Sequence, residues 1–142
     1  VIDGPVMDAF CLAARSGVDV RLYTPGVSDH GYVQVISQQN YGRLIKAGVK
    51  IFEYTPGFIH AKMAVYDDEA GFIGSVNLDN RSFNLHYENG VFFAGGPLPA
   101  AILADIQDIE SKSQQYPLER WSSRPWRTRA YAKVLEVLSP ML

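Results

Sequence analysis

The sequence predicts an α/β domain, and three observations carry that expectation. Two helix–strand units follow one another, each strand closed by Thr-Pro-Gly, at 24–26 and at 55–57. Three further strand-like runs come next before a helical pattern returns. Apolar residues make up 47% and charged residues 20% of the 142, ordinary proportions for one soluble globular domain with a sizeable core. Helix–strand units in series point to parallel neighbours within a sheet.

The first helix is read over "PVMDAFCLAARSG". Pro5 suits its first turn, Val6, Phe10 and Ala13 form an apolar face, and Gly17 stops it. "VDVRLYTPG" then alternates apolar residues up to its Pro-Gly break. A second helix, "DHGYVQVISQQNYGRLIKAG", ends on Gly48, with Asp29 as its cap or, alternatively, part of a loop with His30 over the site. "VKIFEYTPG" is the second strand. "HAKMAVYD" and "AGFIGSVN" form a strand pair joined by an acidic turn at Asp68 and Glu69, and "HYENGVFFAGG" is a further strand. A helix from about Leu98 to Ser113 sets Leu98, Ile102, Ile106 and Ile109 on one face. Residues 1–115 are expected as the main domain and 116–142 as a basic, aromatic tail ending in a helix from about Trp126 to Leu138.

Charge is uneven along the chain. The net formal charge is −2, yet the stretch from Glu110 to Lys133 carries +4 and the remainder −6. That balance argues against a generic nucleic-acid coat but leaves room for a local phosphate site. The tail helix places Trp126, Ala130, Val134, Val137 and Met141 at helical spacing beside Arg127, Arg129 and Lys133. Such a face suits an anionic bilayer surface; the alternative is that it packs on this domain's core or on a missing partner half. The single cysteine, Cys11, is read as a small buried hydrophobe and excludes an internal disulfide.

The chemistry concentrates in "HAKMAVYDDEAGFIGSVN", residues 60–77. Side chains alternate across a strand, so His60, Lys62, Ala64 and Tyr66 are expected on one face, with Asp67 on the other. By the same rule Ser75 and Asn77 share a face, as do His86 and Glu88. If those faces converge, one hollow holds an imidazole, an ammonium, a hydroxyl, an amide and a carboxylate. The set suits a phosphodiester: Lys62 supplies fixed charge, and Ser75 and Asn77 donate to non-bridging oxygens whose charge grows in the transition state. An imidazole with an ordinary pKa near ~6.5 can attack phosphorus or pass a proton to the leaving oxygen. Glu88 is placed to fix the imidazole tautomer. The lysine and the amide take the role a metal would have, so no metal or other cofactor is expected.

His60, Lys62, Asp67, Gly74, Ser75 and Asn77 spell H-x-K-x4-D-x6-G-S-x-N, which resembles the phospholipase D superfamily signature without a gap. Glu88 stands where that family has its histidine-orienting glutamate. "GFIGSVNLDNRSFNLHYENGVFF", "AARSGVDVRLYTPGVSDH" and "RPWRTRAYAKVLEVLSPML" are similar to the bacterial cardiolipin synthase branch, in its carboxy-terminal half. The resemblance implies an α/β/α sandwich with a central mixed sheet, residues 1–115 being a catalytic half-domain with one signature. It implies transfer of a phosphatidyl group through a phosphohistidine, two phosphatidylglycerols giving cardiolipin and glycerol. His60, Lys62, Asp67 and Glu88 would be catalytic, with Lys62, Ser75, Asn77 and Arg81 on the substrate phosphate. Implied partners are phosphatidylglycerol and an anionic membrane surface, with no nucleic acid. The full-length enzyme would sit at the bacterial cytoplasmic membrane with its catalytic part on the cytoplasmic side, this piece being soluble.

The family builds each site from two signatures, and this chain has one. A missing amino-terminal half or a second copy is therefore expected to complete it; the chain opens on Val1 rather than methionine, as an excised piece would. Other readings stay open. Ser75 and Asn77 also suit turns, Asp67 reads mainly as structural, Arg81 either binds phosphate or pairs with Asp79, and His86 reads as a rim residue. At the level of activity the alternatives are a phosphodiesterase using water on phospholipid or nucleic acid, and a scaffold or membrane-binding module without turnover.

Overall fold

Twelve elements follow the chain: α1 Gly4–Arg15, β1 Arg21–Pro25, α2 Gly31–Ala47, β2 Lys50–Tyr54, β3 Met63–Tyr66, β4 Ala70–Gly74, α3 Asn80–Asn84, β5 Gly90–Ala94, α4 Leu98–Ser111, β6 Ser113–Gln115, α5 Leu118–Ser122 and α6 Trp126–Leu138. They come from a computed structural model that describes residues 2–27 and 31–138, with side chains described outside 31–33 and 135–138. Asp29, His30 and Met141, and the side chain of Val137, lie outside the described residues.

The α/β class holds, with the strands divided between two three-stranded sheets, β1-β2-β6 and β3-β4-β5. The first is mixed. β1 and β2 run parallel, as the two helix–strand units require, and β6 joins β2 antiparallel. The second is an antiparallel meander. The two faces of the first sheet meet different helices. Thr24 and Glu53 point to α2, where they meet Tyr41 at 2.8 Å and Gln38 at 2.9 Å. Arg21 and Tyr23 point the other way and bond Glu110 of α4. Helices on both faces of the sheet form the expected sandwich.

The core lies between α1, α2 and β2, around Cys11, Tyr41, Leu44, Val49 and Ile51, and is closed by Tyr116 from the segment after β6. Cys11 is buried, as its apolar neighbours predict. On α4 the expected apolar face is only partly used: Ile102 is buried, whereas Leu98 is 42% exposed.

Three elements were not anticipated from sequence: α3, β6 and α5. The last two hold the chain's later part onto α2 and β2. Glu53, on the same face as buried Ile51, is only 3% exposed, and it accepts from Arg120 at 3.0 Å as well as from Gln38. The Arg120 guanidinium also lies over the Tyr116 ring at 4.5 Å, and the Trp121 indole donates to the Gln38 carbonyl at 3.0 Å. α6 then packs on α2. Among its described side chains Ala132 is fully buried, while Trp126 and Val134 of the expected stripe are 73% and 63% exposed. The helix thus meets α2, among its described residues, through a small side chain and leaves Trp126, Tyr131 and Val134 in solvent. No helix among the described residues is long and apolar enough to cross a membrane.

Candidate active site

The strands carrying the signature are shorter than the sequence predicts. β3 begins at Met63, β4 ends at Gly74 and β5 begins at Gly90, so His60, Lys62, Ser75, Asn77 and Glu88 all lie beyond strand ends. Period-two alternation therefore does not unite them. Antiparallel order does: the start of β3, the end of β4 and the start of β5 fall at one end of one sheet. Two backbone bonds extend the ladder there, Gly74 N–H to the Lys62 carbonyl at 3.0 Å and Ser75 N–H to the Asn89 carbonyl at 2.8 Å.

Glycine makes this end possible. Gly74 pairs with Gly90, and the Phe72 ring lies against both. A Cβ on Gly74 would stand 2.5 Å from the Asn89 carbonyl oxygen, closer than such atoms approach. The signature's glycine is thus a packing requirement one residue ahead of Ser75.

Ser75 is the hub. Its hydroxyl donates to the Glu88 carboxylate and accepts from the Asn89 N–H at 3.0 Å. Hydrogen bonds from Ser75 and then Ser82, with the nearby charges of His86 and Lys62, hold the Glu88 carboxyl below the usual carboxylate range. Ser82 is buried and was missed by the sequence reading. It sits on α3, whose first turn is capped by the Asp79 side chain accepting from Ser82 N–H at 2.8 Å, and its hydroxyl accepts from Asn77 N–H at 3.2 Å. The spacing of Asp79 and Ser82 was the available signal.

Lys62 folds back on its own segment. Its ammonium donates to the His60 carbonyl at 2.9 Å, which uses one of three donors and ties that loop down. Burial pulls the Lys62 pKa down, while the carboxylates of Glu88 and Asp79 act in the opposite sense. The exposed His60 ring stacks on Phe58 at 5.6 Å, a contact with no sequence expectation, and neither ring nitrogen makes a hydrogen bond among the described residues.

Glu88 and His60 share no hydrogen bond among the described residues: the Glu88 carboxylate accepts from Ser75, while His60 stands on the loop before β3. Asp67 lies apart from both. It occupies the turn at the far end of β3, where Asp67 and Asp68 take φ of 50° and 61° and Glu69 N–H bonds the Tyr66 carbonyl at 3.1 Å. Five residues of near-extended chain, roughly 16 Å at ~3.3 Å per residue, separate it from Lys62. Arg81 donates from Nε to His86 Nε2 at 2.8 Å. The Asn77 side chain is exposed at the rim. Among the described residues, no three His, Cys, Asp or Glu side chains gather closely enough to hold a metal ion.

The arrangement offers an exposed imidazole, a partly buried ammonium and a charged carboxylate held by serines. Comparison with known proteins places it. The family described as "Cardiolipin synthase, PLD-like domain" matches residues 2–109. A cardiolipin synthase of Halalkalibacterium halodurans is 35% identical over 141 residues, 99% of this chain and 28% of that protein. The major cardiolipin synthase ClsA of Bacillus subtilis is 34% identical over 140 residues, 99% of this chain and 29% of that protein. The chain thus spans under a third of the length of these curated relatives. Among solved structures, the phospholipase D family member Nuc from Salmonella typhimurium superposes with a TM-score of 0.69 at 20% identity, over 81% of this chain and 75% of that one. That likeness is one of fold. The sequence matches carry the assignment further: the chain belongs to the cardiolipin synthase PLD-like domain family.

Proposed function

We propose that this chain supplies the second half of a phosphatidyl-transfer site that makes cardiolipin and glycerol from two phosphatidylglycerols. The observation that carries the reading is the convergence of Lys62, Ser75 and Glu88 at one sheet end, beside an exposed imidazole whose ring nitrogens are free of hydrogen bonds among the described residues.

One imidazole cannot carry the phosphatidyl group and also protonate the departing oxygen on the opposite side of phosphorus. A second histidine is required, from a preceding half of a longer polypeptide or from a second copy. That histidine attacks phosphorus; the bond from phosphorus to glycerol oxygen breaks, and protonated His60 gives its proton to the leaving glycerol. The hydroxyl of a second phosphatidylglycerol then attacks the phosphohistidine, His60 takes its proton, and the first histidine is freed. The ammonium of Lys62 steadies the non-bridging oxygens throughout, as fixed charge in a partly dehydrated site does best. Ser75 and Asn77 border the same oxygens, and Arg81 stands behind them at the rim. The work is done at an anionic membrane surface, on its cytoplasmic side.

Exposure of His60 favours a second reading, in which water replaces the lipid hydroxyl as acceptor. The products distinguish the two. Phosphatidylglycerol vesicles are incubated with the protein joined to its completing half, and lipids are read by mass spectrometry. Cardiolipin that disappears in His60→Ala supports transfer. Phosphatidic acid in its place establishes hydrolysis, and product formation unaffected by His60→Ala overturns both.

A further inference from the structure

α6 is set on the domain with its apolar ridge turned outward. At roughly 100° of turn per residue, Thr128 and Ala132 share one side of the helix, and Trp126, Ala130 and Val134 lie on the opposite side. Burial follows that division. Thr128 is half-buried and Ala132 fully buried where α6 packs on α2, whereas Trp126, Ala130 and Val134 are all exposed. Tyr131, 54% exposed, widens the outer side. A helix on the surface of a domain in water normally carries its large apolar residues inward. In α6 the small side chain is inside and the large ones are outside.

Cations border this ridge on both flanks. The same count puts Arg127 along one edge and Arg129 and Lys133 along the other. All three are exposed, and none has a carboxylate partner among the described residues, whereas Arg43 and Arg120 pair with Asp8 and Glu53. The Arg127 guanidinium lies over the Trp126 ring at 5.7 Å instead. Residues 120–135 contain five Lys or Arg and no Asp or Glu, in a chain whose net charge is −2. An anionic surface repels the acidic remainder of the chain and attracts this end, so charge complementarity sets orientation as well as affinity.

An aromatic and aliphatic ridge between two rows of cations matches the layering of an anionic bilayer, headgroup charge outermost and acyl chains beneath. The ridge reaches the acyl boundary, where Trp126 and Tyr131 suit the half-polar depth. The long stems of Arg127, Arg129 and Lys133 let their charged ends stay among the phosphates. Thirteen residues make a helix about 20 Å long, which fits one lying in the interface plane.

We infer that the outward face of α6, Trp126, Ala130 and Val134 between Arg127 and Lys133, is a docking surface that lies flat on an anionic phospholipid bilayer. The inference rests on the lipid-directed reading above for its choice of a bilayer as the anionic surface. It uses no residue of the catalytic cluster, so docking and turnover fail separately.

The test is sedimentation of the protein with vesicles of phosphatidylcholine alone or mixed with phosphatidylglycerol, with tryptophan emission read in parallel. Binding is expected with phosphatidylglycerol only, weakening as salt is raised. It is accompanied by a blue shift that Trp126→Phe removes, Trp121 being already half-buried and bonded to Gln38. Each cation near such a surface strengthens binding about fivefold, so Arg127→Gln/Arg129→Gln/Lys133→Gln weakens it roughly a hundredfold. Val134→Glu, which sets an acid in the ridge and keeps the cations, weakens it at least tenfold. The altered side chains are all exposed, so folding is preserved and is checked by circular dichroism. His60→Ala, which ends transfer, leaves binding unchanged. Vesicle binding that follows these variants supports the surface even where no cardiolipin forms. No binding to either vesicle, equal binding to both, or loss of binding in His60→Ala overturns it. So does binding left intact by the α6 variants while they abolish association with the completing half, which gives the face to that half.

Discussion

The Glu53–Arg120 pair makes an asymmetric prediction about stability. Its partners sit in different surroundings: the Glu53 side chain is 4% exposed and that of Arg120 is 52% exposed. Removing Glu53 as Ala leaves Arg120 able to turn into water. The loss is then two charge-assisted hydrogen bonds and a small void, about 2 kcal/mol net. Removing Arg120 as Ala leaves a carboxylate in the buried face of β2 with only Gln38 to answer it, at 2.9 Å. Breaking a buried pair from that side costs about 3–5 kcal/mol, and loss of the guanidinium from the Tyr116 face adds ~0.5–1 kcal/mol. Arg120→Ala is therefore expected to be the more damaging by about 2 kcal/mol, although it is the more exposed residue. Glu53→Met, which fills the space without a charge, is expected to be neutral or stabilising. Urea unfolding followed by circular dichroism measures all three, provided the slopes agree. Equal losses in the two alanine variants, or a Glu53→Met variant as weak as Arg120→Ala, would refute the assignment of Glu53 as the stranded partner.

Three other expectations concern the signature. Gly74→Ala should cost about 1–3 kcal/mol, because its Cβ meets backbone rather than a yielding side chain; an unfolding midpoint equal to wild type counts against the strand pairing described. In wild type the Glu88 carboxyl is depressed, so its contribution to stability is full above the ordinary unfolded value near ~4.3 and is lost as pH falls through the lower folded value. Ser75→Ala should raise the Glu88 value, seen by carbon NMR of the carboxyl, and the stability gap between the two proteins should close on acidification; a Glu88 titration unchanged by the substitution removes Ser75 as its partner. His60→Ala should lower transfer by ~10²–10⁴-fold, whereas Asp67→Asn, in a turn that tolerates it, should stay within about twofold of wild type. A collapse of activity in Asp67→Asn with stability intact would restore Asp67 to the chemistry.

Much of the fold was legible because it is written in punctuation: Gly17 and Gly48 end helices, and two Thr-Pro-Gly breaks end parallel strands. The site residues were legible as a set but not as a geometry. Alternation was applied across "HAKMAVYD", yet its first three residues precede the strand. Nothing in the residue types of that stretch marks the boundary. The short α3 has too few residues to show a helical period, so Ser82 went unnoticed despite the aspartate three positions before it. Glu53 is legible in the sequence. Alternation with Ile51 aims it inward, and a charge aimed inward demands partners, which Gln38 of α2 and Arg120 of the later segment supply.

The place of Asp67 in the turn after β3 gives the signature's spacing a physical sense. Between Lys62 and Asp67 stand the four residues of β3, and the chain returns along β4 so that Gly74 N–H bonds the Lys62 carbonyl at 3.0 Å. The intervals x4 and x6 therefore measure a hairpin: out by one strand, around a turn, and back by the next. Asp67 and Asp68 suit that turn because short polar side chains tolerate positive φ. Since a one-residue slip turns every side chain to the other face, the count between Lys62 and Ser75 is fixed as firmly as the residues themselves. The aspartate thereby acts through the hairpin rather than by contact with those residues. It helps to set where the hairpin reverses, and the reversal decides that a hydroxyl and a carboxylate meet the ammonium at the other end of the sheet.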